Sequence, residues 1–291
     1  MKPASFDYVR TATVDETVAL LALHGDAAKL LAGGQSLVPL LNFRMLRPRL
    51  LVDINRVGEL DFLRDDGAGG LSIGALTRHH ALETDAKVAA RFPVLAAAMA
   101  HVAHLAIRNK GTIGGSLSHA DPAAELPMLA LLLDAEIRTR TASGARAHAA
   151  RDFFIGPLTT ALQADELVTE IVLPALPAGT GWGFEEFSLR AGDFAFAAVA
   201  ATVTLADGAV AEARLALMGV GETPLRLREL EAGLRGQRLS PQRIEDVAAA
   251  ARAAVQPPSD LRASSDYRRQ LVGALTERAL SAAWRGAGGG A

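Results

Sequence analysis

The sequence predicts an α+β protein: two small α/β units, then a C-terminal domain of antiparallel sheet and helices. Three observations carry that prediction. Helix signals alternate with short apolar runs over residues 1–58 and again over 59–175, the pattern of α/β units. The stretch Pro174-Ala175-Leu176-Pro177-Ala178-Gly179-Thr180-Gly181 interrupts that pattern as a linker. Beyond it come strand-like segments at 183–190, 198–205 and 209–217, the last two joined at Ala206-Asp207-Gly208, a tight-turn sequence.

In the first unit, Thr13-Val14-Asp15-Glu16 has capping-box form, and Gly25 closes the helix that follows. A short apolar run at 29–32 enters Gly33-Gly34, an apolar stretch at 37–46 stops before Pro48, and Leu50-Leu51-Val52-Asp53-Ile54 is expected as a strand. The second unit opens near Gly70 with a strand at 71–75, and Thr77 is expected to cap a helix running to Leu82. Helices are expected at 93–106 and at 121–133, the latter with Asp121 as N-cap and Pro122 in the first turn. Strands follow at 135–141 and 166–173. The third unit, 176–286, ends with helices at 225–233, 241–255 and 267–284, and 287–291 is a glycine-rich tail expected to be flexible.

Composition narrows the function classes. Thirty basic against 32 acidic residues leave a net charge of −2, which disfavours nucleic acid or an anionic membrane as the main partner. Aromatic residues make up only 5%, too few for base-stacking platforms. The longest apolar stretch, 92–107, is broken by His101 and His104 and is too short to span a bilayer. With no apolar leader after Met1, a cytoplasmic protein is expected. No cysteine is present, which excludes thiolate chemistry and iron–sulfur ligation within this chain.

Two glycine segments stand out: Ala32-Gly33-Gly34-Gln35-Ser36, and Gly111-Thr112-Ile113-Gly114-Gly115-Ser116. Without a Cβ, such a backbone can approach an oxyanion and aim successive N–H groups at it, and a helix starting just afterwards adds its positive end. Singly, either is an ordinary turn; together they could enclose a diphosphate with no lysine or arginine clamp. Neither a dinucleotide-binding Gly-x-Gly-x-x-Gly after a strand nor a P-loop is present. Gly114-Gly115-Ser116-Leu117-Ser118 lacks the last glycine of a nucleophile elbow. His101 and His104, on one expected helix face, have no third ligand and are expected as solvated or hydrogen-bonded side chains. Asp121 is expected to cap a helix rather than to act as an acid.

These segments resemble a known family, the FAD-binding medium subunits of molybdenum hydroxylases, which include aerobic carbon monoxide dehydrogenase and the flavin domain of xanthine dehydrogenase. The resemblance rests on Ala32 through Ser36, on Ile107-Arg108-Asn109-Lys110-Gly111-Thr112-Ile113-Gly114-Gly115-Ser116, and on Ala120-Asp121-Pro122-Ala123-Ala124-Glu125-Leu126-Pro127. Phe6-Asp7-Tyr8, the run from Leu50 to Ile54, and Ala191-Gly192-Asp193-Phe194-Ala195 support it, so that it covers essentially the whole chain. It implies two subdomains of the vanillyl-alcohol-oxidase (PCMH) type over 1–175, enclosing non-covalent FAD, and a flavoprotein C-terminal domain over 176–286.

The resemblance further implies that Ala32, Gly33, Gly34, Gln35 and Ser36, with Thr112, Ile113, Gly114, Gly115 and Ser116, contact the diphosphate. Asp121 falls in the acidic stretch that follows, Glu125 matches an acidic position on the flavin's sugar chain, and Leu167 a position near the flavin ring. Departures are Gln35 for histidine, Ser116 for asparagine, Glu125 for aspartate and Phe194 for a tyrosine near the ring. A lysine near Ser188 is absent, with Arg190 as its substitute. The implied partners are a small subunit carrying two [2Fe–2S] clusters and a large molybdenum–pterin subunit, arranged as a dimer of heterotrimers that passes electrons to an external acceptor. Two other functions fit the same fold: a self-sufficient flavin oxidase or reductase with covalent flavin through a residue such as His119, and a non-catalytic assembly subunit.

Overall fold

The computed structural model describes residues 2–289. The first unit comprises β1 (Asp7–Arg10), α1 (Val14–His24), β2 (Ala28–Leu31), α2 (Leu37–Asn42) and β3 (Leu50–Asp53). The three strands form one parallel sheet in the order β1-β3-β2. Central β3 is buried along its whole length, as its unbroken apolar sequence requires. The capping box at Thr13 is formed in full, and Gly25 caps the other end of α1.

The second unit holds β4 (Leu63–Asp65), β5 (Leu71–Gly74), α3 (His79–Thr84), α4 (Ala86–Arg91), α5 (Pro93–Met99), α6 (Leu105–Arg108), α7 (Ile113–His119) and α8 (Glu125–Leu132). It continues through β6 (Glu136–Thr141), β7 (Gly144–Ala149), α9 (Ala150–Phe153), β8 (Phe154–Gly156), β9 (Thr159–Thr160) and β10 (Leu167–Leu173). Its main sheet runs β4-β5-β10-β6-β7, entirely antiparallel. One face of that sheet covers a core built from α5, α7 and α8. After α8's opening glutamate every residue is buried, because the helix lies between this sheet and the next one.

The third unit begins with β11 (Gly181–Phe187), β12 (Ala197–Ala206), β13 (Ala209–Met218) and β14 (Leu225–Arg226). Helices α10 (Arg228–Leu234), α11 (Pro241–Ala254) and α12 (Ser265–Gly286) complete it. Asp207 and Gly208 both have positive φ, the backbone of the two-residue hairpin turn expected between β12 and β13. Alternate residues of β12 part company. Ala198 and Ala200 join the core around α8, whereas Ala197, Val199, Ala201 and Val203 pack beneath α11 and α12. Arg226, its side chain only 7% exposed, ties the third unit to α8. It donates to the Leu131 carbonyl (2.9 Å) and pairs with Asp134 (2.7 Å) and Glu231 (2.6 Å).

Several sequence expectations are corrected. The second unit gains β4 ahead of Gly70, because residues 63–65 pair with β5. Thr77 does not cap a helix: its hydroxyl donates to the Phe62 carbonyl, and α3 starts at His79. The expected helix at 93–106 is two helices, parted at a turn where Ala103 takes φ +45°. His101 and His104 therefore share no helix face; His101 sits 5.0 Å from the Phe184 ring and His104 precedes α6. Asp121 caps a turn, accepting from the Ala123 amide (2.8 Å), and α8 starts only at Glu125. Residues 225–226 form an edge strand, since pairing with β13 outcompetes one more helical turn. Helix α12 extends through Gly286, and the expected flexible tail falls partly outside the described residues, which stop at 289.

Candidate functional site

The two glycine segments, far apart in sequence, meet. A Cβ on Gly33 would lie 2.3 Å from the Lys110 carbonyl oxygen and 2.8 Å from Gly111 Cα, so only glycine allows this contact. Gly34 has φ +72°, a left-handed turn that reverses the chain between β2 and α2. Among the described residues, no group accepts a hydrogen bond from the amides of Gly33, Gly34, Gln35 or Ser36. The Gln35 side chain folds back to the Gly33 carbonyl (2.9 Å), and Ser36 is exposed.

The second segment differs from expectation. It is not an open loop: Ile113, Gly114, Gly115 and Ser116 form the first turn of α7, and Thr112 is its N-cap. Their amides are already bonded, to the Thr77 carbonyl (3.1 Å), the Ala75 carbonyl (2.9 Å), the Thr112 hydroxyl (3.1 Å) and the Thr112 carbonyl (3.0 Å). What this segment offers a ligand is a small-residue surface at exposed Gly115 and half-buried Ser116. Both following helices are short, at six and seven residues, so the charge presented here comes from individual amides rather than from a long helix dipole.

A carboxylate group lies further along. Glu125 opens α8, with its pKa pushed up to about 7 by burial and by the nearby charge of Asp121. Glu186, on β11, is pushed up to about 8 by burial and by Glu125, and its Oε2 is buried with no hydrogen-bond partner among the described residues. Glu186 therefore holds its proton at neutral pH, and Glu125 exchanges its own across that range. Leu167 is buried in the core formed by Val14, Val18, Leu60 and Leu76 beneath the first unit, away from the surface. Arg190 and Phe194 are exposed in the loop joining β11 and β12, which packs at Gly192 against Ala103 and His104. The structure thus brings together the segments 32–36 and 112–116, and separately Asp121, Glu125 and Glu186. It does not bring Leu167 to the surface of either group.

Sequence reasoning missed Asn55, Arg78, His79 and Glu186. Asn55 follows β3, and its Nδ2 donates to the Ala32 carbonyl (2.8 Å). Arg78 donates through Nη2 to Asn55 Oδ1 (2.8 Å) and through Nη1 to the Lys110 carbonyl (2.5 Å). His79 donates from its amide to the Gly111 carbonyl (3.0 Å), and its Nε2 lies 3.0 Å from the Thr112 carbonyl, which requires that nitrogen to carry the proton. Burial, and secondarily the nearby arginines, push His79 down to about 4, so it is neutral. The available signal was the polar run Arg78-His79-His80 directly after an apolar strand and turn.

A row of free amides where the first two units meet, ahead of a sheet-and-helix domain, makes a site suited to an anionic group. Residues 4–176 match the family described as the FAD binding domain in molybdopterin dehydrogenase, and residues 182–283 match the CO dehydrogenase flavoprotein C-terminal domain. The chain belongs to the FAD-binding subunit family of the molybdenum hydroxylases. It is 46% identical to the 6-hydroxypseudooxynicotine dehydrogenase complex subunit alpha of Paenarthrobacter nicotinovorans, over 97% of this chain and 96% of that one. Its fold superposes on carbon monoxide dehydrogenase from Hydrogenophaga pseudoflava with a TM-score of 0.95 at 39% identity, covering 98% and 99% of the two chains. Quinoline 2-oxidoreductase from Pseudomonas putida 86 gives 0.93 at 38% identity, covering 99% of each. The residues present fit the family's cofactor: four unclaimed amides and a left-handed glycine suit a diphosphate, which brings acceptors and no donors.

Proposed function

We propose that this chain is the medium, FAD-carrying subunit of a molybdenum hydroxylase, and that it grips the FAD diphosphate at Gly33, Gly34, Gln35 and Ser36. The carrying observation is the set of four consecutive amides, where the two glycine segments meet, left without acceptors among the described residues. In this reading Thr112, Ile113, Gly114, Gly115 and Ser116 form the opposite wall, fixed by their own hydrogen bonds and glycine-smooth rather than donating. Glu125 and Asp121 face the sugar chain; a protonated Glu125 donates as well as accepts. Arg190 and Phe194 border the ring from the β11–β12 loop, and Leu167 supports the site from within the core. Binding is non-covalent.

Bound there, FAD supplies the redox chemistry, and the chain's part is to hold and orient it. The sequence holds no cysteine to ligate an iron–sulfur cluster, so in this reading electrons reach the flavin from centres on other polypeptides. The reading therefore includes a small subunit with two [2Fe–2S] clusters, a large molybdenum–pterin subunit, assembly as a dimer of heterotrimers and an external electron acceptor. The related complexes are named for substrates as different as quinoline and carbon monoxide, which is in keeping with a reading in which the large subunit chooses the substrate. The division at about residue 175 separates the part that holds FAD from the C-terminal domain.

Gly34→Val tests the grip. A Cβ there meets only the ends of Leu31 (3.0 Å) and Val38 (3.2 Å), so the fold can adjust, but the left-handed turn is penalised by about 1–2 kcal/mol. The variant is expected to purify folded with little bound flavin. Stoichiometric FAD in a folded Gly34→Val protein would overturn the assignment. Gly114→Val is a poorer probe, since its Cβ would lie 2.6 Å from Ala75 Cβ and disturb the packing itself.

A further inference from the structure

We propose that Arg78 and Asn55 are positioning residues that brace the two glycine segments against each other and so set the aim of the free amides. The inference rests on the reading that those amides hold the FAD diphosphate.

The brace is continuous. Residues 77–79 run antiparallel beside 111–113: the Ile113 amide donates to the Thr77 carbonyl (3.1 Å) and the His79 amide to the Gly111 carbonyl (3.0 Å). The His79 ring adds the bond to Thr112 and lies under Gly111, where a Cβ would stand 2.8 Å from it. Arg78 is thereby fixed to the second segment at its backbone, and its guanidinium reaches back to the Lys110 carbonyl. Its other terminal nitrogen crosses to Asn55, and Asn55 completes the link to the Ala32 carbonyl, one residue ahead of Gly33.

Asn55 is held in turn. Asp53 Oδ1 accepts from both the Asn55 amide (2.9 Å) and its Nδ2 (2.7 Å), while Asp53 Oδ2 accepts from Arg10 (2.9 Å) and from Tyr8. Burial alone would raise the Asp53 pKa, but the bonds from Tyr8, Asn55 and Arg10 outweigh it and hold the carboxyl at about 2. Asp53 is therefore a fixed anion at neutral pH, and it orients Asn55 with the amide nitrogen toward Ala32 and the amide oxygen toward Arg78. No carboxylate pairs with Arg78 among the described residues. Its donors serve carbonyl oxygens, as expected of a clamp on backbone.

Without the brace, Gly33 still touches Gly111, but among the described residues no hydrogen bond then links the 32–36 turn to the 110–112 segment. Four amides must converge on one diphosphate, and a small rotation spoils all of them together.

The test uses the flavin-stripped full chain, titrated with FAD and, separately, with riboflavin, which has the ring and sugar chain but no diphosphate. Arg78→Ala and Asn55→Ala are each expected to weaken FAD binding about tenfold, the scale of one or two lost hydrogen bonds, and to leave riboflavin binding unchanged. The double variant is expected to lose little more than either single one, because both act through one link. Both side chains are at the surface, so melting curves close to wild type are expected. Unchanged FAD affinity in both variants overturns the brace. So does an equal loss for FAD and riboflavin, which would mark general loosening. A wild-type chain that binds riboflavin as tightly as FAD defeats the diphosphate reading itself, and the brace with it.

Discussion

At the scale of the residue, proton inventory distinguishes the buried groups near the site. Glu125 and Glu186 keep their protons in the folded chain to about pH 7 and 8, whereas an unfolded glutamate loses its own near 4.5. Between those limits the folded state binds more protons than the unfolded one, so these residues make stability fall as pH rises from about 5 to 8. His79 acts on the other side: neutral when folded down to about pH 4, it would be protonated below 6.5 once unfolded, so stability also falls as pH drops from 6.5 toward 4. Melting temperatures of the flavin-free chain should accordingly decline on both flanks. Glu186→Gln should flatten the alkaline flank while sparing the acidic one, and an unaltered alkaline slope would show that Glu186 is ionised in the fold. Glu186 was not legible in the sequence. It sits in a strand of the third unit, and only the approach of α8 to that strand's sheet makes it a neighbour of Glu125.

At the scale of the element, local signals were reliable where one element decides its own ends. The Thr13 capping box, the Gly25 stop and the Asp207-Gly208 turn all formed, because each depends on atoms a few residues apart. Ends set by a distant strand were misjudged, as at Thr77 and at residues 225–226. Glycine within an element carries a similar lesson. Gly181 and Gly183 looked like part of a linker and a strand start, yet they let α12 lie directly on β11: a Cβ on Gly183 would stand 2.1 Å from the Ala279 carbonyl, and one on Gly181 2.0 Å from that of Ala283. Gly183→Ala should push the longest helix off its sheet and cost about 1–3 kcal/mol by overpacking. A denaturant midpoint equal to wild type would show that the helix can shift without penalty.

At the scale of the whole molecule, the proposed function makes the chain a holder of FAD rather than a complete catalyst. The described residues contain no cluster able to bind a metal, and the redox chemistry in this reading belongs to the flavin. The purified chain loaded with FAD should therefore show little flavin reduction with the substrates of related complexes until its partner subunits are added. Brisk substrate-dependent bleaching of the flavin by the lone chain would favour a self-sufficient oxidase. Recovery of the native assembly, with its metal, flavin and subunits counted, would check the partners directly.

By itself the sequence determined the fold class, the family and the two glycine segments, because capping, periodicity and unbroken motifs are written in neighbouring residues. Only the tertiary structure decided which of those segments has amides to spare. A hydrogen bond formed by Gly114 with Ala75, or by Ile113 with Thr77, consumes a donor across tens of residues, and no local pattern records that the donor is gone. The same holds for Asn55 and Arg78, whose meeting depends on where two separate sheets come to rest.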